Sequence, residues 1–232
     1  MRAHYLKHVP FEGLGSMLPW FRDRGWEISL TELYRGQPLP PVDQIDWLIV
    51  MGGPMSVNDE SKYDWLKAEK NFIGEALRAE KSILGVCLGS QLIANVLGSP
   101  VYKNPEPEIG WFPIQRSAEA ATHNLGRLFP QQAEVFHWHG ETFDLPRGTL
   151  HLARSQACEN QAFAYGDRVL GVQFHLETTR QALEDLAHGC ADELIDGPFI
   201  QSAKKMLSDH NRFTRLNSLL DPILQGLAAR TG

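Results

Sequence analysis

Short apolar runs alternate with longer segments of helical period through the first half of the chain. Strand-like stretches run from Ala3 to Val9, Trp26 to Leu33, Trp47 to Met51 and Ser82 to Val86, with helix-like segments at Gly15 to Arg24 and Tyr63 to Ala79 between them. This rhythm predicts βαβ units and a parallel sheet. Pro38, Pro40 and Pro41 mark a surface connection ahead of the run Trp47-Leu48-Ile49-Val50-Met51, which lacks polar alternation and so reads as a strand buried on both faces.

Beyond residue 100 the pattern changes to short alternating stretches at Trp111 to Arg116, Glu134 to Trp138, Thr149 to Arg154, Gln161 to Tyr165 and Val169 to Phe174. These predict antiparallel or mixed strands joined by turns such as Leu145-Pro146-Arg147-Gly148. From Thr179 to His188, Ala182, Leu183, Leu186 and Ala187 recur at helical spacing, and one or two further helices are expected between Phe199 and Gln225. The expectation is therefore one α/β domain over residues 1–232, with an open, mostly parallel central sheet, helices on both faces and a helical cap over about 191–232 following a core over about 1–190.

Chemistry enters at Cys87. The segment Gly85-Val86-Cys87-Leu88-Gly89-Ser90-Gln91 joins a buried strand to the apolar helix Leu92 to Leu97 through a glycine-flanked turn. A residue at such a strand-to-helix elbow has its side chain forced outward, beside the backbone N–H groups of the helix's positive end, which favour a thiolate and an oxyanion. Downstream, Gly171-Val172-Gln173-Phe174-His175-Leu176-Glu177 brings a histidine and a glutamate two positions apart, on one side of an extended backbone. Cysteine nucleophile, histidine base and carboxylate orienter are the three groups acyl transfer needs. The Gly52-Gly53-Pro54 loop ends another buried strand, where a bare backbone N–H can face a crevice at the strands' carboxyl ends.

Composition narrows the field. A net charge of −6 with scattered basic residues predicts no nucleic-acid surface, and no apolar run is long enough to span a bilayer. Three cysteines, Cys87, Cys158 and Cys190, without short spacing predict a reducing, cytoplasmic setting rather than a disulfide framework, and Cys158 and Cys190 are expected to be structural thiols. His137 and His139 have no third ligand at metal-site spacing, so no metal is assigned, and no cofactor motif is present. Trp20, Trp26, Trp47 and Trp65 are expected in the core, and Trp111 at the mouth of the site.

Four blocks in order, Gly52 to Pro54, Gly85 to Gln91, Trp138-His139-Gly140 and Gly171 to His175 leading to Glu177, give the chain a resemblance to triad-type class I glutamine amidotransferases over residues 45 to 178, nearest to stand-alone relatives of the amidotransferase half of GMP synthetase. The resemblance implies a flavodoxin-like fold and a glutaminase reaction through a γ-glutamyl thioester on Cys87. It implies His175 as acid and base, Glu177 as its orienter, and the N–H groups of Gly53 and Leu88 as oxyanion hole. Gly52, Gln91, His139, Gly140 and Glu141 would bind substrate. Leu176 stands where the family commonly has proline. Neither a Walker motif nor the nucleotide loop of the synthetase domain occurs, so ammonia would pass to a separate synthetase partner. Two alternatives remain: a peptidase acting on γ-glutamyl peptides, and a glutamine-sensing or partner-dependent regulatory subunit.

Overall fold

A computed structural model describes residues 1–231; residue 232, the last of the expected cap, lies outside the described residues. The first half follows the predicted alternation: β1 (Arg2–Lys7), α1 (Met17–Asp23), β2 (Glu27–Glu32), β3 (Trp47–Val50), α2 (Trp65–Arg78), β4 (Ser82–Val86) and α3 (Leu88–Val96). The second half supplies β5 (Val101–Arg116), β6 (Gln132–Phe143), β7 (Thr149–Arg154), β8 (Ala162–Tyr165), β9 (Val169–Val172), α4 (Arg180–Gly189), α5 (Ala203–Met206) and α6 (Asn211–Ala228).

All nine strands form one sheet in the order β2-β1-β3-β4-β9-β8-β7-β5-β6. The pairings β1 with β2, β1 with β3, β3 with β4 and β4 with β9 are parallel, whereas β8, β7, β5 and β6 continue the sheet antiparallel. The parallel half follows from the crossover connections, and β7, β8 and β9 run antiparallel because short turns join them. The sheet is thus mixed, with the parallel character confined to β2, β1, β3, β4 and β9.

Strand periodicity assigns the core to two faces. Along β3, Trp47 and Ile49 enter one apolar cluster with Phe21, Leu84 and Val86, while Leu48 and Val50 enter the other with Leu66, Ile73, Leu92 and Ile93. The second face is covered by α2 and α3. The first receives α1 and, from the far end of the chain, α6, whose Leu216, Leu220, Ile223, Leu224 and Leu227 are buried. The expected cap is therefore part of the main core. Asn217 of α6 fixes the segment after β9 by donating to the carbonyls of Leu176 and Thr178 at 2.8 and 3.1 Å. Trp20, Trp26 and Trp47 pack edge-on or stacked within this core, as their apolar context predicts. No helix among the described residues is long and apolar enough to cross a membrane.

Candidate active site

The carboxyl ends of β1, β3 and β4 converge on a cavity of about 300 Å³ lined by residues from both halves of the chain, among them Gly53, Cys87, Gln91, Trp138, His139, Gly140, Glu141 and His175. Seven residues singled out from sequence thus meet at one opening; the other three do not line it, Gly52 and Leu88 being the chain neighbours of Gly53 and Cys87 and Glu177 bonding to His175.

Cys87 occupies the turn between β4 and α3 at φ 51° and ψ −110°, a left-handed conformation unusual for a side chain with a Cβ. The turn stays sharp because its glycines allow backbones to touch. A Cβ at Gly89 would lie 2.0 Å from the Val50 carbonyl oxygen, and one at Gly85 would lie 2.6 Å from the Gly89 backbone. The sulfur donates to the Trp138 carbonyl at 3.4 Å, while Gln173 donates to it at 3.6 Å. Burial pushes the Cys87 thiol pKa up, against the opposing pull of His175 and the Leu88 N–H.

His175 does not sit on a strand. The regular pairing of β9 ends at Val172, and His175 is held beyond it by an isolated bridge to Phe136 of β6, its N–H donating to the Phe136 carbonyl at 2.8 Å. The extended backbone expected from Val169 to Phe174 is therefore shorter, and β6 supplies the missing support. His175 Nδ1 lies 2.7 Å from Glu177 Oε1, and both side chains are buried. That contact commits Nδ1 to the carboxylate and leaves Nε2 for chemistry. Burial alone would lower the His175 pKa, but Glu177 and Cys87 outweigh it and raise it well above that of a free imidazole.

The Gly52-Gly53 loop is held by a pair that sequence reasoning missed. His8, just past β1, donates from Nδ1 to the Gly52 carbonyl at 2.9 Å, and its Nε2 lies 2.7 Å from Glu69 Oε1 of α2, with both side chains fully buried. Burial opposes charge on His8, but Glu69 prevails and raises the pKa, which favours a ring that donates at both nitrogens, to the Gly52 carbonyl and to the Glu69 carboxylate. Nothing local in the sequence signals this pair, whose members are 61 residues apart.

Gln91 donates to the Glu141 carbonyl at 3.3 Å and to Gln173 Oε1 at 3.1 Å, which ties α3 to β6 and to the stretch after β9. His139 lines the cavity, yet both its ring nitrogens face protein groups, Nδ1 the Glu141 carbonyl at 3.0 Å and Nε2 the Glu108 carboxylate at 3.1 Å. Glu108 of β5 also brings a third potential ligand beside His137 and His139, with the three ligand atoms within 4.8 Å of one another. The β5–β6 register, which sets Glu108 opposite His139, creates this grouping, and no spacing along one strand could reveal it. Geometry would let the trio hold a metal ion. Glu108 Oε2 also accepts from Ser155 Oγ at 2.9 Å and Gln161 Nε2 at 2.5 Å; burial pushes the carboxyl up, but His139, His137 and Ser155 hold it below its usual range.

One expectation needs correction. Trp111 is not at the cavity mouth: it is buried against Phe136 and Phe213, and its ring N–H donates to the Met206 carbonyl at 2.9 Å. Cys190, expected to be a structural thiol, borders the cavity while itself buried, and burial pushes its pKa to about 12. Cys158 is buried beside Thr142, with its pKa raised by burial to about 11. Glu12, from a loop, and Glu193, from a short 3-10 turn, also reach the cavity, and neither segment carries a recognisable motif.

Comparison with known proteins agrees with this geometry. The sequence profile described as glutamine amidotransferase class-I matches residues 22–186. The glutamine amidotransferase-like protein YfeJ of Salmonella typhimurium is 39% identical over 213 residues, covering 89% of each chain. A glutamine-hydrolyzing GMP synthase subunit of Sulfurisphaera tokodaii is 34% identical over 145 residues, covering 61% of this chain and 72% of that one. A glutamine amidotransferase crystal structure from Thermotoga maritima superposes with a TM-score of 0.88 at 34% identity, covering 98% of this chain and 97% of that one. The chain belongs to the class-I glutamine amidotransferase family.

Proposed function

We propose that the protein is a cysteine-dependent hydrolase of the γ-glutamyl amide bond, with glutamine as its simplest substrate. The observation that carries the reading is the buried 2.7 Å contact between His175 Nδ1 and Glu177, on a ring that shares a cavity with a cysteine held at positive φ. Cys87, His175 and Glu177 are then nucleophile, acid–base and orienter. His175 takes the thiol proton as sulfur attacks the γ-carbonyl carbon, and the N–H groups of Gly53 and Leu88 receive the oxyanion. The C–N bond breaks as His175 returns the proton to the leaving nitrogen, leaving a γ-glutamyl thioester on Cys87. A water activated by His175 then releases glutamate.

Substrate recognition falls in this reading to Gln91, Gly140 and Glu141 along one wall and to the Gly52-Gly53 loop on the other. His139 supports the wall through its backbone and ring bonds rather than by gripping the ligand. The His8 contact has a role here too, because fixing the Gly52 carbonyl sets the direction of the next N–H, that of Gly53. Residues 1–190 carry the chemistry of a single domain, and the helices after them complete its core. Three free cysteines suit a reducing cytoplasm. A separate synthetase would accept ammonia whenever glutamine is the substrate.

Purified protein incubated with glutamine should release glutamate, and Cys87→Ala should lower the rate by at least about a thousandfold while leaving the fold intact. Glutamate release by Cys87→Ala at the wild-type rate would end the proposal.

A further inference from the structure

Glu12 belongs to none of the motifs that define the site, yet its carboxylate sits within it. A Cβ built on Gly52 would lie 2.1 Å from Glu12 Oε2 and 3.2 Å from His175 Cε1, so the bare glycine makes the space the carboxylate occupies beside the histidine's edge. Glu12 lines the main cavity together with Leu186, Cys190 and Glu193, and also a smaller recess with Glu177 and Ala182. It therefore stands on the His175 side of the cavity, facing α4. Burial pushes the Glu12 carboxyl up; of the charged groups around it, His175 and His8 pull it down through space, while Glu177 and Glu193 add to the rise. Neither histidine bonds to it: His8 spends both nitrogens on Gly52 and Glu69, and His175 holds Glu177 through Nδ1 while its other nitrogen serves Cys87.

The cavity as a whole is short of cations. Glu12, Asp59, Glu141 and Glu193 line it, and among the described residues no lysine or arginine does. Glu193 is already held, accepting from Trp138 Nε1 at 2.9 Å, whereas Glu12 has no comparable donor among its strongest interactions. An ionised carboxylate in a partly desolvated site without a donor is costly, and a ligand cation relieves that cost.

Resting on the hydrolase reading above, we infer that Glu12 is the specificity-determining residue of a leaving-group subsite, and that the preferred substrates are γ-glutamyl amides of alkylamines bearing a second, protonated nitrogen. Chemistry fixes the side. His175 must hand its proton to the departing nitrogen, so the amine portion of the substrate leaves past the edge of that ring, where Glu12 lies. In the acylation step the Cys87 Sγ–carbonyl carbon bond forms and the carbon–nitrogen bond breaks. The proton from His175 goes to the leaving nitrogen, and the distal ammonium keeps its own proton throughout, paired with Glu12. A leaving group ending in a carboxylate, as a peptide does, would instead meet like charge at Glu12.

The test compares three amides of equal chain length, γ-glutamyl-butylamide, γ-glutamyl-(4-aminobutyl)amide and γ-glutamyl-(3-carboxypropyl)amide, alongside glutamine, by kcat/KM for glutamate release. The wild type should favour the aminobutyl over the neutral amide on the order of tenfold or more, with the carboxypropyl amide below both. In Glu12→Gln the ratio of aminobutyl to neutral amide should fall to near one; using the ratio cancels any general loss of activity in the variant. Equal use of the three amides by the wild type, or an unchanged ratio in Glu12→Gln, overturns the inference and leaves the hydrolase reading standing. Release of glutamate from none of the four compounds overturns the hydrolase reading, and this inference falls with it. The wild-type ranking decides the matter even if the variant does not fold.

Discussion

Single histidines in this molecule are set to different charge states by what surrounds them. His4 lies between Ser29 and Thr31, at 2.8 and 3.1 Å from their hydroxyls, and burial lowers its pKa to about 4. His137, also buried, is lowered to about 4, with Glu108 only partly offsetting the desolvation. His8 and His175 are raised instead, each overcoming burial through a carboxylate at 2.7 Å. The signs give a pH prediction. A histidine lowered in the native state binds its proton only after the unfolded chain has done so, so its contribution is present above the unfolded pKa near 6.5 and is lost as pH falls toward 4. A raised histidine contributes fully below 6.5 and loses its contribution as pH rises through its native pKa, so it is silent in the lower window. Stability should therefore fall between pH 6.5 and 4 by up to about 1.4 kcal/mol per pH unit for each of His4 and His137. Urea midpoints across that range check this, and His4→Gln should flatten the slope; a slope unaltered by the substitution would show that His4 does not remain neutral in the fold.

Among elements, the glycine elbow and the loop after β3 are what the rest of the parallel sheet serves. Both were legible in the sequence, because buried parallel strands write continuous apolar runs and a nucleophile turn writes glycines at fixed offsets. β4 spans Ser82–Val86, as its apolar run predicts. β5 was not legible at its true length. Pro105, Pro107, Gly110 and Pro113 are turn signals, yet the strand runs from Val101 to Arg116. It tolerates them because its ladder to β6 shifts register between Lys103 and Glu108, and because its other edge meets β7 only at Gln115 and Arg116. Glu12, His8 and Cys190 were not legible for a different reason, since long-range packing alone brings them to the site. The His8–Glu69 pair joins the end of β1 to α2 beneath the Gly52-Gly53 loop. Removing one partner leaves a buried charge uncompensated, so Glu69→Ala should cost about 3–5 kcal/mol of unfolding free energy. Denaturant titration measures it, and a loss below about 1 kcal/mol would mean that the pair is not charged as described.

At the scale of the whole molecule, one mixed sheet binds distant parts of the chain into a single site. The parallel half supplies the elbow and the glycine loop, the antiparallel half supplies Trp138, His139 and the support for His175, and α6 holds the segment after β9 in place. The order of the four blocks along the chain pointed to the family, but only the fold shows that the cavity they share is acidic. Covalent trapping tests the central claim most directly: incubation with diazo-oxo-norleucine, a glutamine-shaped electrophile, followed by intact mass and peptide mapping. One adduct on Cys87 is predicted, with protection by glutamine, none in Cys87→Ala and much slower labelling in His175→Ala. Labelling at Cys158 or Cys190 in place of Cys87, or a rate indifferent to His175, would contradict the account.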